Sequence, residues 1–343
     1  MTRYERLRRG LDERGCACAV LVGPDHATHV ASYSRYLSSA TAVVVAADDA
    51  RTLIVPRHEL EAASRHADAV LGFGDDDFLD FDWLPKLLRA CRELCRGRIG
   101  VAGVDPFDDA IAIDDLVAEV RRVKDDDELR ALTRSVELTF RAQQRVAELA
   151  TEGLSEIELF TAALAAAQNA ALEPVEFLGD VFCGARTAAV ASPVAVPGAH
   201  RPGAGDPVLS DIAVRAGGYW GDTTRTTIVG DNPVVAEVVE AINSILAECG
   251  RALLPGARAC NVFEQMRARI LRRFPDGVFP HHGGHGIGIG VGEDPQLIPG
   301  ESMLLEAGMV LAVEPAVYFP GRFGVRLEDV YVVTTDGGER IGW

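Results

Sequence analysis

At 343 residues the chain is long for one domain and comfortable for two. Its 48 % hydrophobic and 25 % charged content are those of a globular protein, and no stretch approaches the ~18 apolar residues of a membrane span. A net charge of −17 argues against a nucleic-acid partner, which would need a basic face.

The opening "MTRYERLRRGLDERG" predicts a charged amphipathic helix without the apolar core of a signal peptide, and with it a cytoplasmic protein. Four short apolar runs follow as strands: "ACAVLVG", "TAVVVAAD", "RTLIVP" and "GRIGVAGVD". Around them "ERLRRGLDERG", "HELEAASRHA", "DWLPKLLRACREL" and "DDAIAIDDLVAEVRR" have helical patterns. The alternation predicts a small α/β domain over residues 1–123. The acidic run "GDDDFLDFD" (Gly74–Asp82) is a solvated loop in this reading. The cysteines form no CxxC pair and their number is odd, which fits reduced, mostly buried thiols and no zinc site or disulfide framework.

A second domain over 124–343 opens at "RRVKDDDELRAL", where Asp126 or Asp127 can cap a helix. Leu129, Leu132, Val136 and Phe140 then fall on one face of it. From there a pattern occurs twice. "VAELATEGLSEIELFTAALAAA" is a helix, a break at Gly153, and a helix opened by Ser155 with Glu158 as a capping box. "ILAECGRALLPGARACNVFEQMRARIL" repeats the plan with its break at Pro255-Gly256. Each copy leads into strand-rich sequence, so two related halves packed around one shared site are expected.

The first half contains "LSDIAVRAGGYWGDTTRTTIVG". A two-residue turn at Ala216-Gly217 would set Asp211 directly opposite Asp222 across an antiparallel ladder. Two carboxylates facing each other in a core need a proton or a cation, and the hairpin alone leaves both open. The second half contains "MVLAVEPAVYFPGRFGVRLEDVYVV". An odd-length loop centred on Gly321 would oppose Glu314 and Glu328 in the same way. Between the hairpins runs "PHHGGHGIGIGVGEDP", where His285 offers a neutral nitrogen among glycines. One imidazole and four carboxylates suit two divalent ions better than a structural zinc.

The motifs "DIAVRAGGYWGDTTRT", "GGHGIG", "VEP" and "GVRLED", in the order D, D, H, E, E, resemble those of the pita-bread metallopeptidases. That superfamily includes methionine aminopeptidase, aminopeptidase P, prolidase and creatinase. The resemblance is specific over about residues 125–343 and weaker over the first third, which is similar to the N-terminal domain of the prolidase and creatinase branch. It implies an α/β chain: a small creatinase-like α/β domain, then an α+β pita-bread catalytic domain with an internal pseudo-twofold. It further implies two divalent ions held by Asp211, Asp222, His285, Glu314 and Glu328, manganese first, with cobalt, iron or zinc as alternatives. The same likeness assigns Glu314 the proton shuttle, His281 a place at the substrate, Arg326 a supporting role behind the ligands, and Arg225 a structural one.

Two family histidines are missing. The "HE" position seven residues beyond His285 is Gly292, so Glu293 stands without its partner. A second histidine, expected about 17 or 18 residues before Asp211, falls on Val194 or Pro193, and the nearest is His200. Such residues hydrogen-bond the scissile amide, work worth about 3–4 kcal/mol per donor. His281 or His200 could substitute, whereas His282 has no counterpart and is expected to be exposed.

The function these residues imply is a metal-dependent hydrolase of the Xaa-Pro dipeptidase or aminopeptidase P type. It would cleave a C–N bond in a small or dipeptide-like substrate through a metal-bridging hydroxide, with divergent specificity. Two alternatives stay open: a metal-dependent lyase working by β-elimination, and a metal-binding homologue without turnover. The likeness also implies a homodimer, with no membrane partner.

Overall fold

The apolar runs of the first third become the inner strands of one sheet. The computed structural model describes residues 1–34, 40–48, 50–65, 67, 69–74, 82–107, 109–189 and 196–342. Most of the acidic run after Gly74 lies outside them. Two units divide the chain, Met1–Arg121 and Arg122–Trp343.

The first unit contains α1 (Arg3–Glu13), β1 (Cys18–Val22), α2 (Pro24–Ala31), β2 (Ala42–Val45), β3 (Arg51–Pro56), α3 (Leu60–Ala63), β4 (Val70–Phe73), α4 (Trp83–Leu94), β5 (Ile99–Ala102), β6 (Ile111–Ala112) and α5 (Asp114–Arg122). The sheet order is β4-β3-β2-β1-β5-β6, with β1–β2 and β2–β3 antiparallel and the other pairs parallel. Strand periodicity sends alternate side chains to two separate cores. Ala19, Leu21, Val43, Leu53 and Val55 join one, and Val20, Val22, Val44, Ile54 and Val101 join the other.

Two helical expectations are shortened. Ile111–Ala112 of "DDAIAIDDLVAEVRR" pairs with β5 and only the remainder is helix, because Ile113 is drawn into the core. "HELEAASRHA" is a 3₁₀ turn at Arg57–Glu59 followed by the short α3. All seven cysteines are free thiols, six of them buried.

His26 gives this unit a built-in acid sensitivity. Arg121 donates to its Nδ1 at 3.2 Å, which fixes that nitrogen as an acceptor. Burial, and then the Arg121 charge, pull its pKa from the usual 6.5 to about 3. A base held neutral by the fold contributes stability that is complete above 6.5 and lost as pH falls towards 3. Each unit of that displacement is worth about 1.4 kcal/mol. His26→Gln keeps an acceptor for Arg121 but cannot be protonated, so its melting temperature should fall less than wild type between pH 6.5 and 4. Parallel acid melts would reject the assignment.

The second unit begins with α6 (Asp126–Leu149), whose cap is Asp125 and not Asp126 or Asp127. Asp125 accepts from Glu128 N–H while the Glu128 carboxylate takes Asp125 N–H, a reciprocal box that fixes the start one residue earlier. Gly153, at φ 73°, breaks the chain before α7 (Glu156–Ala171), which Ser155 and Glu158 cap as expected. β7 (Glu176–Cys183), β8 (Pro207–Ala216) and β9 (Tyr219–Ile228) form an antiparallel sheet in that order. Val208, Ile212, Val214 and Ala216 pack on the two helices. The alternate β8 residues, Asp211 among them, therefore face the other way.

A second helix pair follows, α8 (Pro233–Ala252) and α9 (Ala259–Arg273). The remaining strands are β10 (Gly284–Gly286), β11 (Glu293–Gln296), β12 (Val310–Val313), β13 (Ala316–Phe319), β14 (Phe323–Arg326), β15 (Asp329–Thr334) and β16 (Gly337–Arg340). Five of them form a sheet of order β11-β10-β12-β15-β16, while β13 and β14 make a hairpin. A helix pair followed by an antiparallel sheet thus occurs twice. No described helix is long and apolar enough to cross a membrane.

Candidate metal centre

The first hairpin turns one residue later than the sequence suggests. Its loop is Gly217-Gly218, with φ of 57° and 85°, left-handed values that two glycines accept and Ala216 would resist. Asp211 consequently faces Thr224, and Asp222 faces Ala213. The direct Asp211–Asp222 pairing is corrected to a diagonal one. The shift preserves parity, so both acids still lie on the face away from α6 and α7. On its other side Asp211 pairs with Asp180 of β7.

The second hairpin keeps the expected register. Val317 faces Val325, Val313 faces Asp329, and the three-residue loop carries Gly321 at φ 72°. Glu314 and Glu328 fall opposite each other in the gap between these ladders. Glu328 then joins the hairpins: its N–H donates to Thr224 O at 3.0 Å, and Thr224 Oγ1 donates to its Oε2 at 2.8 Å. Arg225 braces the same joint, donating to the carbonyls of Thr224 and Glu328 and to Asp329.

His285 sits on β10, between β11 and β12, and the bareness of this strand has a steric cause. A Cβ on Gly284 would stand 2.1 Å from the Ala312 carbonyl, and one on Gly286 would stand 2.4 Å from that of Asp294. Neighbouring backbones close on both sides, so a side chain fits only where it points into the site. His285 Nδ1–H donates to Gly286 O at 3.0 Å, which leaves the Nε2 lone pair free towards Asp222 Oδ2 at 3.9 Å.

Ligand atoms of Asp222, His285 and Glu328 lie within 4.8 Å of one another, all three residues buried. Asp211 and Glu314 are drawn to other partners. Arg326 donates to Asp211 Oδ2, and His282 Nδ1 stands 2.9 Å from Glu314 Oε1, off the ideal hydrogen-bond angle. His281 Nδ1 lies 3.8 Å from Glu314 Oε2.

Burial, then the charges of Asp211 and Glu314, push the Asp222 carboxyl well above its usual range. Burial and the Asp222 charge do the same to Glu328. Glu314 goes the other way: burial works to raise it, but His282, His281 and Arg326 together outweigh burial and lower it. The same contact raises His282. Asp222 Oδ1 is buried, with no hydrogen-bond partner among the described residues. Crowded hard oxygens, an orphaned carboxylate oxygen and a free imidazole lone pair are the donor set a divalent cation requires, so these residues fit one.

Around this cluster runs a hydrogen-bonded chain. Arg326 donates to the Tyr318 hydroxyl at 3.0 Å, and Tyr318 reaches His281 Nε2 at 3.0 Å. His281 Nδ1–H donates to His282 O at 2.7 Å, so Nε2 accepts from the hydroxyl. Burial lowers the His281 pKa and keeps the ring neutral.

Several contacts escaped the sequence reading. His282, expected to be exposed, is half-buried against Glu314. Tyr318 and Thr224 were legible only as strand residues. Asp180 could have been placed by parity, on the same face as Glu176 and Leu178 in the run "EFLGDVF", where Glu176 is taken by Arg215. Gly292 is exposed, and a Cβ there would meet nothing within 4 Å. Val194 and Pro193 lie outside the described residues. His200 is exposed, and its carbonyl accepts from Glu156 N–H at the start of α7. Glu293 has found a different partner: it accepts from Gly290 N–H at 2.9 Å and from the buried Lys124 Nζ at 3.0 Å.

The sequence and the fold both have relatives. Over 323 residues, 90 % of this chain and 84 % of the other, it is 30 % identical to the probable dipeptidase PepE of Mycobacterium tuberculosis. It is 26 % identical to the Xaa-Pro dipeptidase of Pyrococcus furiosus over 99 % of this chain and 97 % of that one. The crystal structure of dipeptidase PepE from Mycobacterium ulcerans superposes with a TM-score of 0.76 at 26 % identity, covering 98 % of this chain and 94 % of that one. The model of metallopeptidase family M24 matches residues 130–335, the span that carries both hairpins and His285. The chain has the pita-bread fold and belongs to metallopeptidase family M24.

Proposed function

We propose that the protein is a metal-dependent dipeptidase for small Xaa-Pro-like substrates. It would hold two divalent ions, manganese first, on Asp211, Asp222, His285, Glu314 and Glu328. The observation that carries this reading is the buried Asp222–His285–Glu328 group, in which one carboxylate oxygen of Asp222 has no hydrogen-bond partner among the described residues. The names of the relatives support it: one is a probable dipeptidase and another an Xaa-Pro dipeptidase.

Bound divalent ions supply Lewis acidity and lower the pKa of water to near neutrality. The protein's part is positioning and proton handling. The Gly286 carbonyl fixes the tautomer of His285, and Arg326 steadies Asp211. Glu314 takes the proton from the attacking water and passes it to the leaving nitrogen, with His282 beside it as a charge partner. His281, kept neutral by burial and oriented by the Tyr318 hydroxyl, offers its ring to the substrate. The open space at Gly292 leaves room for a group larger than proline.

The test is metal content of the purified protein, with a manganese-supplemented assay on Xaa-Pro dipeptides. About two ions per chain with turnover is the expected result. Two ions with no dipeptide cleaved would direct the search to another small substrate, hydrolytic or eliminative. Protein that binds no divalent ion would overturn the ligand assignment.

A further inference from the structure

Asp180 lies on β7 directly across from Asp211, on the face turned away from α6 and α7. It is only partly buried. Among the described residues no hydrogen bond or ion pair reaches its carboxylate. The nearby cation is committed elsewhere: Arg326 donates to Asp211, to Tyr318 and to Thr224. Two residues along the strand, on the same face, Leu178 is 51 % exposed. A second unpartnered group shares this face. Among the described residues Asp222 Oδ1 has no hydrogen-bond partner, and the residue is only 8 % exposed. That buried oxygen belongs to the proposed metal set. Asp180 stands outside the set, one strand further out at a spacing of about 4.8 Å, and remains open.

We propose that Asp180 selects substrates that carry a cationic side chain, an ammonium or guanidinium, with Leu178 covering the methylene stem. Lysine and arginine pair an apolar stem with a charged tip, and β7 presents an apolar surface and an acid about 7 Å apart along one face. The inference rests on the dipeptidase reading.

Lysyl-proline and norleucyl-proline have stems of equal length and differ in the charge. The manganese-loaded protein should prefer the lysyl peptide by about tenfold or more in kcat/KM, the size of a charge-assisted contact. Calorimetry should give the same order of binding. Asp180→Asn should bring both ratios close to one, and Asp180→Glu should retain most of the preference. Equal handling of the two peptides by wild type would overturn the proposal. So would a preference that survives in Asp180→Asn, or a third manganese per chain that disappears in it. If neither peptide is cleaved, the dipeptidase reading fails on its own and calorimetry still decides: charge-dependent binding lost in Asp180→Asn upholds the role, and its absence rejects it.

Discussion

Turnover of the Glu314→Gln protein should fall by about 10²–10⁴-fold, the usual loss when a positioned proton carrier is removed. Glutamine keeps the shape of the side chain, so packing under the second hairpin survives. It loses the basicity on which His282 and His281 converge. Part of the metal binding should remain, because Asp222, His285 and Glu328 form their own close group. Steady-state kinetics beside elemental analysis of the same preparation separates the two effects. A fully active Gln variant would sink the proton-shuttle assignment. An inactive variant stripped of metal would make Glu314 chiefly a ligand.

The second large effect is on stability. Burial works against the Arg326 charge, but Asp211, Tyr318 and the two glutamates around it hold it firmly protonated. Arg326→Met keeps the stem and removes the charge, leaving the Asp211 oxygen and the Tyr318 hydroxyl without their donor. Breaking one side of a buried ion pair costs about 3–5 kcal/mol. For a unit of this size that corresponds to about 5–15 °C in Tm. The loss should be largest in metal-free protein, where carboxylates crowd with little other compensation, and manganese should return part of it. Calorimetric melts with and without manganese provide the check. A shift under 2 °C in the metal-free protein would mean Arg326 is not the counter-charge of the cluster.

Much of this architecture was legible because local rules dominate it. The capping box at Ser155 and Glu158 and the break at Gly153 are short-range features, and they appear as the sequence suggests. The hairpin around Gly321 kept its register because the loop chemistry leaves one centre. The hairpin at Gly217-Gly218 slipped by one position because "AGG" offers two candidate turns, and only the left-handed φ of both central residues chooses between them. Within the site, the order of the five candidate ligands could be read from motifs. The surroundings could not. His282 meets Glu314 and Lys124 meets Glu293 through contacts 32 or more residues apart, which no periodicity encodes.

The glycine run also determines where this protein can change. At Gly284 and Gly286 neighbouring backbone carbonyls forbid a side chain, and at Gly288 a Cβ would stand 2.7 Å from the Glu293 carboxylate. Gly292 alone of these four opens onto free space. A laboratory-evolution library spread evenly along the run would waste most of its members on broken strands. Concentrated at Gly292, it would vary an exposed position while Lys124 and Glu293 keep the loop tethered. Single amino-acid steps at Gly292 are therefore accommodated without a clash, and they leave the backbone around His285 undisturbed.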